Sequence, residues 1–209
     1  MSGATSYRWT FAILLIAGCG TSLATHDIPR FGTSGQYLEG RSQFLRGRGG
    51  NMDKAVEALG KVVSDDPLYK DSLTLLGRAY YNKHMYRDAY QVLERALKFV
   101  DKEDEIAWVT LGITQLRLGE DQKGLESLKG GLTLLSGVAK SGYRDFPDWD
   151  LRGAVRVSLR RAVLLAAKGV EEKENLIRSV ETLLARMDEE ENLQRVELSR
   201  QLRSGRAPY

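Results

Sequence analysis

Two stretches decide the fold: Leu73-Thr74-Leu75-Leu76-Gly77-Arg78-Ala79-Tyr80 and Trp108-Val109-Thr110-Leu111-Gly112-Ile113-Thr114-Gln115. Each opens a block that continues on the same spacing. Ala89, Leu93 and Ala96 follow the first; Gly124, Leu128 and Gly131 follow the second. The two sets superpose with a shift of 35 residues. Small residues fall at the same three places, Gly77, Ala89 and Ala96 against Gly112, Gly124 and Gly131. Between them large apolar residues recur every three or four positions, the helical period. The physical reading is a pair of helices. The small residues let two backbones approach, and the large ones fill the space beside them. One pair buries only part of its apolar face, so pairs stack. The expectation is an all-α fold, an α-solenoid of about three to four helix pairs.

An earlier unit extends the pattern upstream. Ala55, Leu59 and Pro67 fall in register, with Val62 in place of a small residue. Its first helix is expected at 36–47, with Tyr37 and Gly40 in the places of Trp108 and Gly112. Its turn, 47–51, is about three residues longer than in the later units. This pattern resembles the tetratricopeptide repeat (TPR), Trp-x-x-Leu-Gly-x-x-Tyr followed by Ala, Phe, Ala and Pro. Trp108 to Gly112 matches its first half closely, and three units span residues 36–135. Gln115 stands where the family has Tyr, and two glycines replace alanines in the third unit's second helix. Each such glycine costs up to about 1 kcal/mol in helix propensity.

The resemblance implies a TPR-like α-solenoid and assigns positions to its concave face. These are Thr74, Arg78, Tyr81 and Asn82 in one unit, and Ile106, Val109, Ile113 and Leu116 in the next. The Lys and Asn set with which some members clamp a terminal carboxylate is not matched, so that activity is not carried over. What is left is a groove polar at one end and apolar at the other. It either seats an amphipathic segment of a partner or is covered by residues 136–150 or the next helix.

Beyond the repeats, residues 136–150 read as a connecting loop, with Gly137, Gly142 and Pro147 and the aromatics Tyr143 and Phe146. A divergent helix pair follows at 151–189. Its first helix is expected at about 150–168, where Gly169 ends it. Its second runs to about 187, with Leu176, Ile177, Val180, Leu183, Leu184 and Met187 on one side. An acidic run, Asp188 to Glu191, leads into a polar tail at 190–209, where residues 192–209 read as a frayed polar helix ending in a basic segment. The 151–168 helix carries five basic residues and no acid. Arg152, Arg156 and Arg160, spaced by four, stripe one face. That stripe suits anionic lipid headgroups or an acidic partner, or pairs with the acids of 171–191.

The N-terminus is unlike the rest. Arg8 precedes an apolar run from Trp9 to Ile16, too short to span a bilayer. It ends at Ile16-Ala17-Gly18-Cys19, and Cys19 is the one cysteine in 209 residues. This segment resembles the bacterial lipobox. The resemblance implies a signal peptide at 1–18, a diacylglycerol on Cys19 and a flexible tether at 19–35. Gly20 after the cysteine favours the outer membrane, by likeness to enterobacterial lipoproteins.

One cysteine excludes a disulfide framework, and with two histidines it leaves almost no ligands for a Cys/His metal site. A net charge of +3 does not imply nucleic acid. His26 and His84 have no nucleophile nearby, and no catalytic residue, metal or cofactor is assigned. The expected function is a lipid-anchored, protein-binding adaptor or scaffold in bacterial envelope assembly. Pilus-secretin assembly factors and outer-membrane biogenesis subunits share that architecture. The alternatives are an accessory or regulatory subunit of a periplasmic enzyme complex, such as one acting on the cell wall, and a homo-oligomeric structural protein.

Overall fold

The computed structural model describes residues 32–141 and 149–203. The lipobox, Cys19, most of the expected tether, the loop residues Gly142, Tyr143, Phe146 and Pro147, and the last six residues lie outside the described residues. Eight α-helices follow one another: α1 Gly32–Leu45, α2 Met52–Asp65, α3 Ser72–Asn82, α4 Tyr86–Phe99, α5 Glu105–Arg117, α6 Asp121–Ser141, α7 Ala154–Lys168 and α8 Lys173–Arg203. No strand occurs among the described residues, and the fold is all-α. Each odd-numbered helix packs on the one after it, and the pairs join through α2 with α3, α4 with α5, and α6 with α7. One continuous apolar core runs from Tyr37 to Met187.

The glycines that carry the sequence pattern sit where the helices touch. A Cβ on Gly40 would lie 2.7 Å from Leu59 Cγ, and one on Gly77 would lie 2.6 Å from Leu93 Cγ. At Gly112 the obstacle is backbone: the amide nitrogen of Leu128 would be 2.7 Å away. Gly124 and Gly131 face α5 just as closely, at Gly112 O (2.9 Å) and Val109 N (2.7 Å). The two glycines that replace alanines in α6 therefore let α5 and α6 meet backbone to backbone. That contact offsets the propensity that glycine gives up inside a helix.

In the first unit Gly40 and Leu59 are nineteen residues apart; in the other two the equivalent pair is sixteen apart. The three extra residues form one turn of 3₁₀ helix at Gly47–Gly49, entered through Gly47 at φ 54°. Asn51 then caps α2, its side chain accepting from Lys54 N.

Element boundaries differ from expectation in four places. α1 starts at Gly32 and ends at Leu45, so residues 32–35, expected in the tether, are helical and the 36–47 helix lies earlier. α6 continues through Gly137 to Ser141. Leu128, Leu132 and Leu135 bury one face of it, and packing outweighs local propensity. α7 starts at Ala154 because Asp150 (φ 54°) and Gly153 (φ 71°) turn the chain first. The buried Asp150 carboxylate accepts from Val155 N and Arg156 N, at 2.9 Å each. α8 runs without a break through the acidic run, joining the helix expected to end near 187 to the polar helix expected from 192. No glycine or proline interrupts residues 170–203. Glu191 with Arg195, Gln194 with Glu190 and Arg200 with Glu197 support its outer turns at helical spacing.

Candidate binding groove on the face of the first helices

The first helices of the three units, α1, α3 and α5, lie side by side and α8 packs across them. Arg41 and Arg78 each follow a close-contact glycine, so they hold matching places on α1 and α3; Arg117 ends α5. Opposite them α8 carries Glu174, Glu181 and Asp188, spaced by seven, with Glu191 one turn further. Seven residues are close to two helical turns, so these acids share one face.

The two sets meet in register. Arg117 donates to Glu174 (2.9 Å) and Glu181 (3.3 Å). Tyr81 donates its hydroxyl to Glu181 at 2.6 Å. Arg78 Nη2 reaches both oxygens of Asp188, at 2.9 and 2.7 Å, and its guanidinium lies 4.7 Å from the centre of the Phe44 ring. Arg41 pairs with Glu191, and both side chains are only 11% exposed. Arg41 Nη1 also donates to Tyr37 Oη at 2.7 Å, and Tyr37 donates in turn to Asp71 at 2.5 Å. Taking these charges out of water is costly. The paired geometry and additional hydrogen bonds offset it.

Burial raises the Tyr81 hydroxyl well above the ordinary tyrosine range, and its hydrogen bond to Glu181 adds to the rise. Tyr37 is raised by burial first and by the Asp71 carboxylate second. Both stay neutral donors in this network.

The expected groove residues fall into four groups. Arg78 and Tyr81 do face the groove, but they hold α8. Thr74 donates to Asp104 at 2.6 Å, and Asp104 in turn caps α5 by accepting from Ala107 N. Asn82 is exposed at the edge. Ile106, Val109, Ile113 and Leu116 are buried core, which corrects the expectation of an apolar partner surface at Val109, Ile113 and Leu116. Val109 and Leu116 lie against the glycines of α6, so the close approach of α5 and α6 encloses them. α8 packs on α5 as well. Among the described residues the covering is done by α6 and α8. A cleft of about 740 Å³ stays open between α8 and the ends of α1 and α3. Phe44, Met52, Tyr81, Asn82, Leu184 and Asn192 line it.

Arg41, Arg117 and the four acids were missed by the sequence reading. Two signals mark four of them: the Gly-Arg at 40–41 repeats at 77–78, and acids recur at 174, 181 and 188. Ending the last helix at 187 hid the second.

The basic stripe is also corrected. Arg152 precedes α7 and so is not on its face. Arg156 folds back on Asp150, with Nε 3.2 Å from Oδ2 and Nη2 donating to the backbone oxygen at 3.1 Å. Arg160 points to solvent. Of the acids in 171–191 only Glu172 pairs with a base of this helix, Lys168, at 3.0 Å.

His84 sits in a turn at φ 61°, its Nδ1 2.9 Å from Tyr86 Oη. Among the described residues no cluster of three His, Cys, Asp or Glu forms a metal site, and no helix is long and apolar enough to cross a membrane. No known protein-family profile matches the chain, and no curated protein matches it significantly.

Proposed function

We propose that this chain is a membrane-anchored TPR lipoprotein that works as a protein-binding adaptor or scaffold in the bacterial envelope, of the kind that serves pilus-secretin or outer-membrane assembly. The observation that carries the reading is the face of α1, α3 and α5. Its arginines and tyrosine already hold one amphipathic helix, α8, by charge and hydrogen bonds. The cleft beside that helix, bounded by Phe44, Met52 and Asn82, leaves room for a further segment. The repeated glycine–leucine contacts of the three pairs support a TPR-like α-solenoid. The lipobox at Ile16, Ala17, Gly18 and Cys19 supports the anchor.

The mechanism is binding alone. Acyl chains on Cys19 hold the protein at the membrane, and two or more chains make that hold stable. The groove then recruits another envelope protein or peptide. Neither a cofactor nor nucleic acid enters the mechanism.

Replacing Cys19→Ser tests the anchor. Acyl labelling is expected to vanish and the protein to leave the membrane fraction; unchanged membrane retention without label contradicts it. Cross-linking followed by affinity purification tests the role. Recovery of a secretin or an outer-membrane barrel supports the adaptor, whereas recovery of a cell-wall hydrolase supports an accessory subunit instead.

A further inference from the structure

The outward face of α7 holds exposed aliphatic and basic side chains side by side. Val157 is 66% exposed and Leu164 67%, and Leu151 in the preceding turn is 74% exposed. Val157 and Leu164 are seven apart, so they lie on one side of the helix with Arg160 and Arg161 between them and Lys168 one turn beyond. α7 contains no acid. Arg152, Arg160 and Arg161 make no ion pair or side-chain hydrogen bond among the described residues. The acids that could have neutralised them point the other way, to Arg41, Arg78 and Arg117.

Behind this strip α7 and α8 leave a groove of about 340 Å³. Arg161 and Arg178 both line it, with Ser158, Ser179 and Thr182, and no carboxylate does. Ser179 is 6% exposed, and its hydroxyl has no hydrogen-bond partner among the described residues. A groove lined by two arginines, of which Arg178 also donates to Asn175 Oδ1 at 2.7 Å, and by a buried unpartnered hydroxyl is suited to an anionic oxygen.

Large exposed aliphatics alternating with arginine, free of acid, form the surface that suits a bilayer boundary rather than water. Aliphatic tips enter the headgroup–acyl boundary while guanidinium groups stay with the phosphates. We infer that the outer face of α7, with the groove behind it, docks on an anionic phospholipid surface. Val157 and Leu164 enter the boundary, and Arg160, Arg161 and Arg178 take lipid phosphates. This contact is independent of the groove that holds α8. It does not require Cys19, so it can be tested without the anchor.

The test uses the full chain carrying Cys19→Ser, with one new cysteine, Leu164→Cys, labelled with an environment-sensitive dye. Phe99→Cys on α4, an exposed apolar position elsewhere, is the control. The expected result is a blue shift at 164 on vesicles of phosphatidylglycerol and phosphatidylcholine in equal parts. No shift is expected on phosphatidylcholine alone, with inorganic phosphate alone, or at 99. Arg160→Glu with Arg161→Glu is expected to weaken vesicle affinity at least about tenfold, and the milder Arg160→Gln with Arg161→Gln less. No shift at 164, an equal shift at 99, or unchanged affinity in the Glu variant would overturn the inference. A shift with inorganic phosphate equal to that with vesicles would replace the bilayer by a soluble anion.

Discussion

The two helices of the C-terminal pair handle charge in opposite ways. α8 turns Glu174, Glu181, Asp188 and Glu191 onto the face of α1, α3 and α5, where each meets an arginine. α7 turns Arg160 and Arg161 outward, beside exposed Val157 and Leu164, where no acid among the described residues pairs with them. The two helices are joined by the short segment around Gly169 and are packed on each other. A near-neutral chain thus separates into a neutralised interior seam and a basic outer strip. What decides the separation is the direction in which the acids of α8 point. Acids close in sequence to a basic helix need not pair with it.

Removing one partner from the seam is the largest expected break in this contrast. Arg41→Ala takes the buried guanidinium away from Glu191, which keeps its pairing with Arg195, and removes the hydrogen bond to Tyr37. Because Arg195 still compensates part of the Glu191 charge, a loss of about 2 kcal/mol in unfolding free energy is expected by denaturant titration. A loss below about 1 kcal/mol would mean that Arg195 compensates Glu191 without Arg41.

Tyr81→Phe is a smaller cut in the same seam. It deletes one hydrogen bond while leaving Glu181 paired with Arg117, so about 1 kcal/mol is expected. The same residue supplies a pH dependence. Tyr37 and Tyr81 are raised above the unfolded value of 10.0. The folded protein therefore binds these protons more tightly than the unfolded chain does. Their contribution is fully present below about pH 10 and is lost as pH climbs above it toward the raised folded values. Thermal melts should show stability falling above pH 10. In the Tyr37→Phe/Tyr81→Phe double variant the fall should be shallower, though the starting stability is lower.

On the outer strip the smallest effects are expected. Arg161→Ala and Leu164→Asp should each change stability by no more than about 0.5 kcal/mol, because neither side chain holds the fold together. A large loss at either position would show that the strip is structural, and the contrast between the two helices would disappear.

Much of the helix pairing was legible in the sequence. Gly77 and Gly112 announce the close approaches through their spacing to Leu93 and Leu128, and the structure brings each pair into contact. The third unit's glycines read as a cost in helix propensity. Their benefit, backbone contact between α5 and α6, depends on the partner helix and has no local signature. Gly137 was read as a break for the same reason: its helix is held by the burial of Leu128, Leu132 and Leu135, which a local reading underweights.

The groove was legible in part. The repeat register placed Arg78, Tyr81 and Asn82 on the right face. It also placed Val109, Ile113 and Leu116 there, and these are core. The register assigns a residue to a side of its helix; it does not say how near the next helix stands. The occupant, α8, went unseen because the run Asp188–Glu191 looks like a solvated tail when taken alone. Its meaning depends on arginines about 110 to 150 positions upstream, a separation that periodicity does not reach.

The central claim is that α8 is held across the first helices by this charge seam, and a double-mutant cycle on Arg78 and Asp188 tests it most directly. Unfolding free energies would be measured for the parent, Arg78→Ala, Asp188→Ala and the double variant. The account predicts a coupling of at least about 1.5 kcal/mol between these residues. Additive losses, with coupling below about 0.3 kcal/mol, would contradict it.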